Sequence, residues 1–194
     1  MTKRLAAIFA AALVASCGGG NPLSNPDSVQ NPPGTTGQKL SFVYFQRCIN
    51  VIYDTPLQVD QNGVISTNTC GSGGCHDTRT GTGGALRVVP QANLVDLAAS
   101  TVDEVRATDM YKNFYSSQGA TVIGSPTQSR LLAKPLLTVL HGGGQIFADM
   151  QDENARRIAY WISRPVPQGQ DEFSVAGNSM FTPADPETGT CNTQ

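Results

Sequence analysis

The segment Cys70-Gly71-Ser72-Gly73-Gly74-Cys75-His76 has the residue types and spacing to do chemistry. Two thiols followed at once by an imidazole is the order used for covalent haem attachment. In that chemistry Cys70 and Cys75 form thioethers with the haem vinyl groups, and His76 binds the iron as the proximal ligand. The common spacing leaves two residues between the cysteines. Here four intervene, and Gly-Ser-Gly-Gly lets them bulge without steric cost. Two other chemistries use the same atoms. Cys70 and Cys75 could close a disulfide across the Gly-rich loop, with His76 incidental. They could also hold zinc with His76 and one further ligand, although no second tight Cys/His pair accompanies them.

A haem iron has room for a sixth ligand, and His141 is the only other histidine in the chain. It opens His141-Gly142-Gly143-Gly144, a loop pliable enough to bring an imidazole to a flat macrocycle. Met150, in the loop before the last expected helix, is the alternative, because Met is a common axial ligand in cytochromes c. Met110 and Met180 are further thioethers, with Met110 on a stripe expected to be core. Asp77 could orient His76 but reads as solvent-facing. Lys134 could meet a haem propionate. No Ser-His-Asp arrangement, phosphate loop or paired-carboxylate signature stands out.

These residues need a scaffold, and the pattern is mainly α. Phe42, Phe45, Ile49 and Ile52 lie on one face of a first helix that should end before Pro56. Residues 57–69 read as a loop with Asn62-Gly63 at a turn. Ala85–Val89 is the only strand-like run. Thr101-Val102-Asp103-Glu104 is a capping box, followed by Ala107, Met110, Tyr111 and Phe114 at helical spacing. Ser125-Pro126-Thr127-Gln128 reads as the cap of a short helix through Leu131 and Leu132. Asp152 can cap a last helix with Ala155, Ile158, Ala159 and Ile162 on its buried stripe, beside Trp161, stopped by Pro165 and Pro167. The expectation is a small helical domain over 39–165 with long irregular loops, and an extended tail over 166–194 that packs partly on the domain, with Phe173, Met180 and Phe181 as its apolar residues.

The chain has 194 residues and a net charge of −2, with 13 basic and 15 acidic residues and no basic run. That argues against a protein held to nucleic acid by charge. Charged residues make up only 14% of the chain, which argues against an acidic disordered solvator. Lys3 and Arg4 precede the apolar run 5–15, the layout of a secretory signal. Val14-Ala15-Ser16-Cys17 resembles the lipobox of bacterial lipoproteins, in which the Cys is acylated and becomes the first mature residue. That resemblance implies a signal peptide over 1–16 and a membrane anchor at Cys17. With Gly18 rather than Asp next, it also implies the outer membrane in enteric-type sorting. Residues 17–38, rich in Gly, Pro, Asn and Ser, have the composition of a tether.

From Phe42 to Pro165 the order of pieces resembles the cytochrome c-like domains of bacterial exported proteins. An aromatic helix, Phe42-Val43-Tyr44-Phe45, comes first. Ser72-Gly73-Gly74-Cys75-His76-Asp77 and Gly83-Gly84-Ala85-Leu86 follow. Gly124-Ser125-Pro126, Ser129-Arg130-Leu131-Leu132 and Lys134-Pro135 come next, before His141-Gly142-Gly143-Gly144 and the helix through Trp161-Ile162. The resemblance implies a small helical cytochrome c with terminal helices packed beside one covalently bound haem c. The expected function is one-electron transfer in the cell envelope with a redox partner protein, without a substrate site. The alternatives are a non-redox binding or structural lipoprotein stapled by disulfides, and a small haem peroxidase.

Five cysteines then have to be assigned. With Cys17 acylated and Cys70 and Cys75 holding haem, Cys48 and Cys191 are left over in a compartment where disulfides persist. Their bridge would pin the tail across the first helix. The rival pairing, Cys48 with Cys70, would cost the haem one thioether.

Overall fold

The structure, a computed structural model, describes residues 37–194. The expected signal peptide, the lipidated Cys17 and nearly all of the tether lie outside the described residues.

The first helix begins where Ser41 accepts a hydrogen bond from the Tyr44 amide. It runs through α1 (Phe42–Tyr44), a π-helical turn (Phe45–Ile49) and α2 (Asn50–Asp54) without a break. Phe42, Phe45, Ile49 and Ile52 are all buried, but so are Val43, Tyr44, Gln46 and Cys48. A helix covered nearly all round is a core helix rather than a surface one. It ends before Pro56, as expected.

Residues 57–69 are not simply a loop. Strand β1 (Leu57–Gln61) pairs antiparallel with β2 (Val64–Asn68). Asn62 and Gly63 both have positive φ, 57° and 85°, as a two-residue type I′ hairpin turn requires. The expected strand at Ala85–Val89 is absent. Val88 makes only an isolated parallel bridge to Asp77, because the segment pairs with the Cys–His loop instead of with another strand.

The capping box at Thr101 forms in full, but the helix behind it is two helices. α3 (Val102–Ala107) stops at Thr108, and α4 (Asp109–Gln118) starts from it. The Thr108 hydroxyl donates to the Val105 carbonyl and accepts from the Tyr111 amide, closing one helix and capping the next. The break rotates the stripe, so Ala107 is exposed while Met110 and Phe114 are buried. Ser125 makes no side-chain cap. Pro126–Gln128 is a 3-10 turn, and α5 (Arg130–Ala133) follows Ser129, whose hydroxyl serves the Val122 amide instead. Asp152 caps α6 (Glu153–Ser163) through the Asn154 and Ala155 amides.

The core forms where the first helix meets α4 and α6. Phe45 lies 5.4 Å from Trp161 and 5.5 Å from Phe114, centroid to centroid. Trp161 donates its indole N–H to the Ser41 carbonyl, so this large ring is buried without an unpaired donor. The tail packs partly on the domain, as expected, but it is not extended throughout. It forms a 3-10 helix (Val175–Met180), and Met180 and Phe181 enter the core. Cys48 and Cys191 are disulfide-bonded, the pairing reached by counting cysteines. Among the described residues no helix is long and apolar enough to cross a membrane.

Candidate functional site

The segment 69–89 has little regular structure, so its shape comes from hydrogen bonds to the helices behind it. The Gly71 amide donates to the Tyr53 carbonyl, the Arg87 amide to the Ser116 hydroxyl and the Val89 amide to Asn113. Asn113, fully buried, returns its amide protons to the Val89 carbonyl and to Asn50. Within the loop, the Val88 amide donates to His76 and the Thr78 amide to Val88.

Asp77 is buried rather than solvent-facing. Its carboxylate accepts from the Thr80 and Arg79 amides, which hold its pKa below the usual carboxylate range. It folds the loop back so that Gly83 lies against His76. A Cβ on Gly83 would fall 2.5 Å from His76 Nδ1 and 2.6 Å from the Cys75 carbonyl.

Cys70 and Cys75 are both free thiols and half-buried. Neither the Cys70–Cys75 nor the Cys48–Cys70 disulfide is present. Burial, and then the neighbouring Cys75, push the Cys70 thiol up to about 12, so it is protonated at neutral pH. The Asn68 amide lies 3.7 Å from Cys75 Sγ. The Ser72 hydroxyl, inside the same loop, is buried without a hydrogen-bond partner.

His141 stands opposite His76. The two imidazole rings are 6.2 Å apart, centroid to centroid, and within 12° of parallel. Each ring offers Nδ1 to a backbone carbonyl, His76 to Leu86 at 3.0 Å and His141 to Gly144 at 2.7 Å. A carbonyl can only accept, so both Nδ1 atoms carry protons, and in the neutral imidazole this leaves the free lone pair on Nε2. Burial lowers the pKa of His76, and His141 and Arg87 lower it further against the raising effect of the Leu86 bond. The ring is therefore neutral, the form that binds a metal.

The candidates for sixth ligand separate clearly. Met110 and Met180 are core residues. Met150 lines a surface groove with Pro126, Arg156, Ala159 and Tyr160. His141 is the one whose ring lies near His76, 6.2 Å away and within 12° of parallel. Lys134 sits on the same loop as His141 and donates to the Leu140 carbonyl.

No protein-family model, curated protein or solved structure matches the chain.

The two imidazoles and two free thiols are donor types that a haem iron can use, and zinc as well. A haem asks the protein for only two axial ligands. Imidazole nitrogen binds metals at about 2 Å. Two rings sharing one ion from opposite sides therefore have centres roughly 6 Å apart. The 6.2 Å between the His76 and His141 ring centres matches that distance. Next to His141 in the chain, Leu140 is 87% exposed, and Val64, at the hairpin turn, is 69% exposed. These apolar side chains would gain from being covered by a macrocycle.

Sequence reasoning missed three parts of this site: the hairpin, the buried Asp77 turn, and the two carbonyls of Leu86 and Gly144. The Asn62-Gly63 dipeptide between Val59 and Val64 was the available signal for the hairpin. Nothing in the side chains marks a backbone acceptor.

Proposed function

We propose that the chain is a monohaem c-type cytochrome of the cell envelope with a cytochrome c-like helical domain, passing one electron at a time to or from a redox partner protein. The observation that carries this reading is the facing, near-parallel pair of imidazoles, each held by a carbonyl at Nδ1. In this reading His76 and His141 are the axial ligands, and the free thiols Cys70 and Cys75 retain the haem through thioethers. Haem iron, when bound, supplies the Fe(II)/Fe(III) couple.

The chain's own contribution is positional. Leu86 and Gly144 fix the tautomers, and hydrogen-bonded imidazoles of this kind are better oriented and more basic ligands. Gly83 gives the His76 ring the room it occupies. Leu140 and Val64 offer apolar surface. Acylation of Cys17 would hold the domain at the membrane, in the outer membrane by the sorting logic above.

The test is an absorption spectrum of the mature protein made together with haem maturation machinery. A reduced c-type spectrum that survives acid-acetone extraction is expected, and Cys70→Ala/Cys75→Ala should abolish the covalent haem. Colourless wild-type protein would defeat the proposal. Covalent haem retained in the double variant would defeat the thioether assignment.

A further inference from the structure

The two imidazoles are held by different means. His76 is bonded to Leu86, ten residues on, in a loop tied to the helices. His141 is bonded only to its own turn, with Nδ1 donating to the Gly144 carbonyl and the Gly144 amide donating back to the His141 carbonyl. A short Gly-rich turn alone would be a poor support for a ligand.

The support comes from the hairpin. The Asp60 amide donates to the Gln145 carbonyl and the Gln145 amide to the Asp60 carbonyl, both at 2.9 Å. Gln145 thus pairs with the free edge of β1, and the Gln61 side chain donates to the Gly142 carbonyl at 3.2 Å. At its other end the hairpin places Asn68 against Cys75. One ribbon therefore touches both His-bearing loops.

Gly144 is where this docking becomes specific. Its φ is +84°, and a Cβ there would lie 2.3 Å from the Asp60 carbonyl oxygen and 2.8 Å from Gln61 Cγ. The first of these is backbone and cannot move aside. Gly142, two residues earlier, would meet nothing within 4 Å and has no positive φ.

We propose that Gly144, seated against Asp60 of β1, is the positioning residue for His141, and that the hairpin through it sets where the second imidazole stands. The inference rests on the reading of His141 as an iron ligand. Any side chain at 144 lifts the turn off β1 and takes the acceptor carbonyl from His141 Nδ1. The imidazole then loses both its place and its fixed tautomer.

The test has one arm in haem-free protein and one in loaded protein. In the haem-free chain, side-chain nitrogen NMR should show His141 protonated at Nδ1 in the wild type and in Gly142→Ala. Gly144→Ala should lower the Nδ1–H to Nε2–H ratio of His141 about fivefold, the weight of one ordinary hydrogen bond, with His76 unchanged. Gln61→Ala, at an exposed position that leaves the fold intact, should shift the ratio in the same direction by less. In the loaded chain, Gly144→Ala should convert part of the low-spin spectrum to high-spin, and Gly142→Ala should not. Wild-type His141 tautomer and wild-type spin state in Gly144→Ala would overturn the proposal, as would equal effects of Gly142→Ala and Gly144→Ala. If Gly144→Ala does not fold, a Gln61→Ala ratio equal to wild type overturns it. Loaded His141→Ala separates the two ideas. If it stays low-spin, the ligand assignment fails, whereas the haem-free arm still judges Gly144.

Discussion

Breaking the Cys48–Cys191 bridge should cost about 3 kcal/mol of stability without unfolding the domain. The two cysteines are 143 positions apart. For a loop of that size the chain-entropy relation gives about 5 kcal/mol, an upper figure, since measured values cluster at 2–4. The native side of the balance changes little, because the tail has other anchors. The Tyr44 hydroxyl donates to the Asn192 carbonyl at 2.6 Å, and the Phe42 amide donates to Glu172. Phe181 packs 5.5 Å from Tyr44. The loss should therefore arise mainly in the unfolded chain, which becomes free to expand. Urea unfolding of Cys48→Ala/Cys191→Ala against the oxidised wild type measures it, with reduced wild type as the control that keeps both sulfur atoms in the core. The midpoint should fall and the slope m should rise, because a chain without the cross-link exposes more surface. Equal midpoints and equal slopes in oxidised and reduced wild type would refute the reasoning.

Two further outcomes follow from the hydrogen bonds around the site and the tail. Asn113→Ala leaves the Val89 amide and the Asn50 side chain without partners in a buried place, and should cost about 3 kcal/mol. The Val89 amide should exchange with solvent much faster than in the wild type, as hydrogen-exchange NMR would show. Glu172 is buried, which pushes its carboxyl up, but its own backbone amide, the Tyr111 hydroxyl and the Arg106 guanidinium outweigh that and leave its pKa below the usual value. A carboxyl lowered on folding contributes stability above its unfolded pKa and loses it as pH falls through the folded one. Thermal melts from pH 6 down to pH 3 should therefore drop more steeply for the wild type than for Glu172→Gln, which itself should lie about 2 kcal/mol lower at pH 6; parallel curves would show that Glu172 plays no part.

What the sequence disclosed depended on whether a local side chain carried the signal. Thr101 with Glu104, and Asp152, are caps written in residue types, and both formed. Ser125 and Ser129 compete for one helix start, and the hydroxyl of Ser129 is drawn to Val122, so spacing alone could not choose between them. Thr108 looks like a helix interior residue in a periodicity count, yet a Thr followed by Asp109 also has the chemistry of a cap. β2 is exposed at every position, so no alternation of apolar and polar residues could reveal it, and only the Asn-Gly turn announced the hairpin. The π turn left no trace in the residue pattern. His141 could be named as a partner for His76 because the chain has no third histidine. Its turn is fastened by an edge contact between Asp60 and Gln145, 85 positions apart and made by backbone atoms.

This division has a physical consequence for the pair of imidazoles. The carbonyl holding His76 belongs to a segment whose amides end on Tyr53, Ser116 and Asn113, all on helices packed around Phe45, Phe114 and Trp161. Its geometry is therefore coupled to the core. The carbonyl holding His141 belongs to a turn fastened to a hairpin whose second strand faces solvent along its whole length. Such an exposed edge has few buried apolar contacts, the mark of the less stable regions of a fold. Asn113→Ala and Gly144→Ala consequently act on different rings, the first through the core and the second through the ribbon. On the proposed reading, a proximal ligand next to thioethers would be well placed on the rigid side. A ligand carried by a surface ribbon can be retuned by substitutions at Asp60, Gln61 or Gly144 that leave the helices untouched.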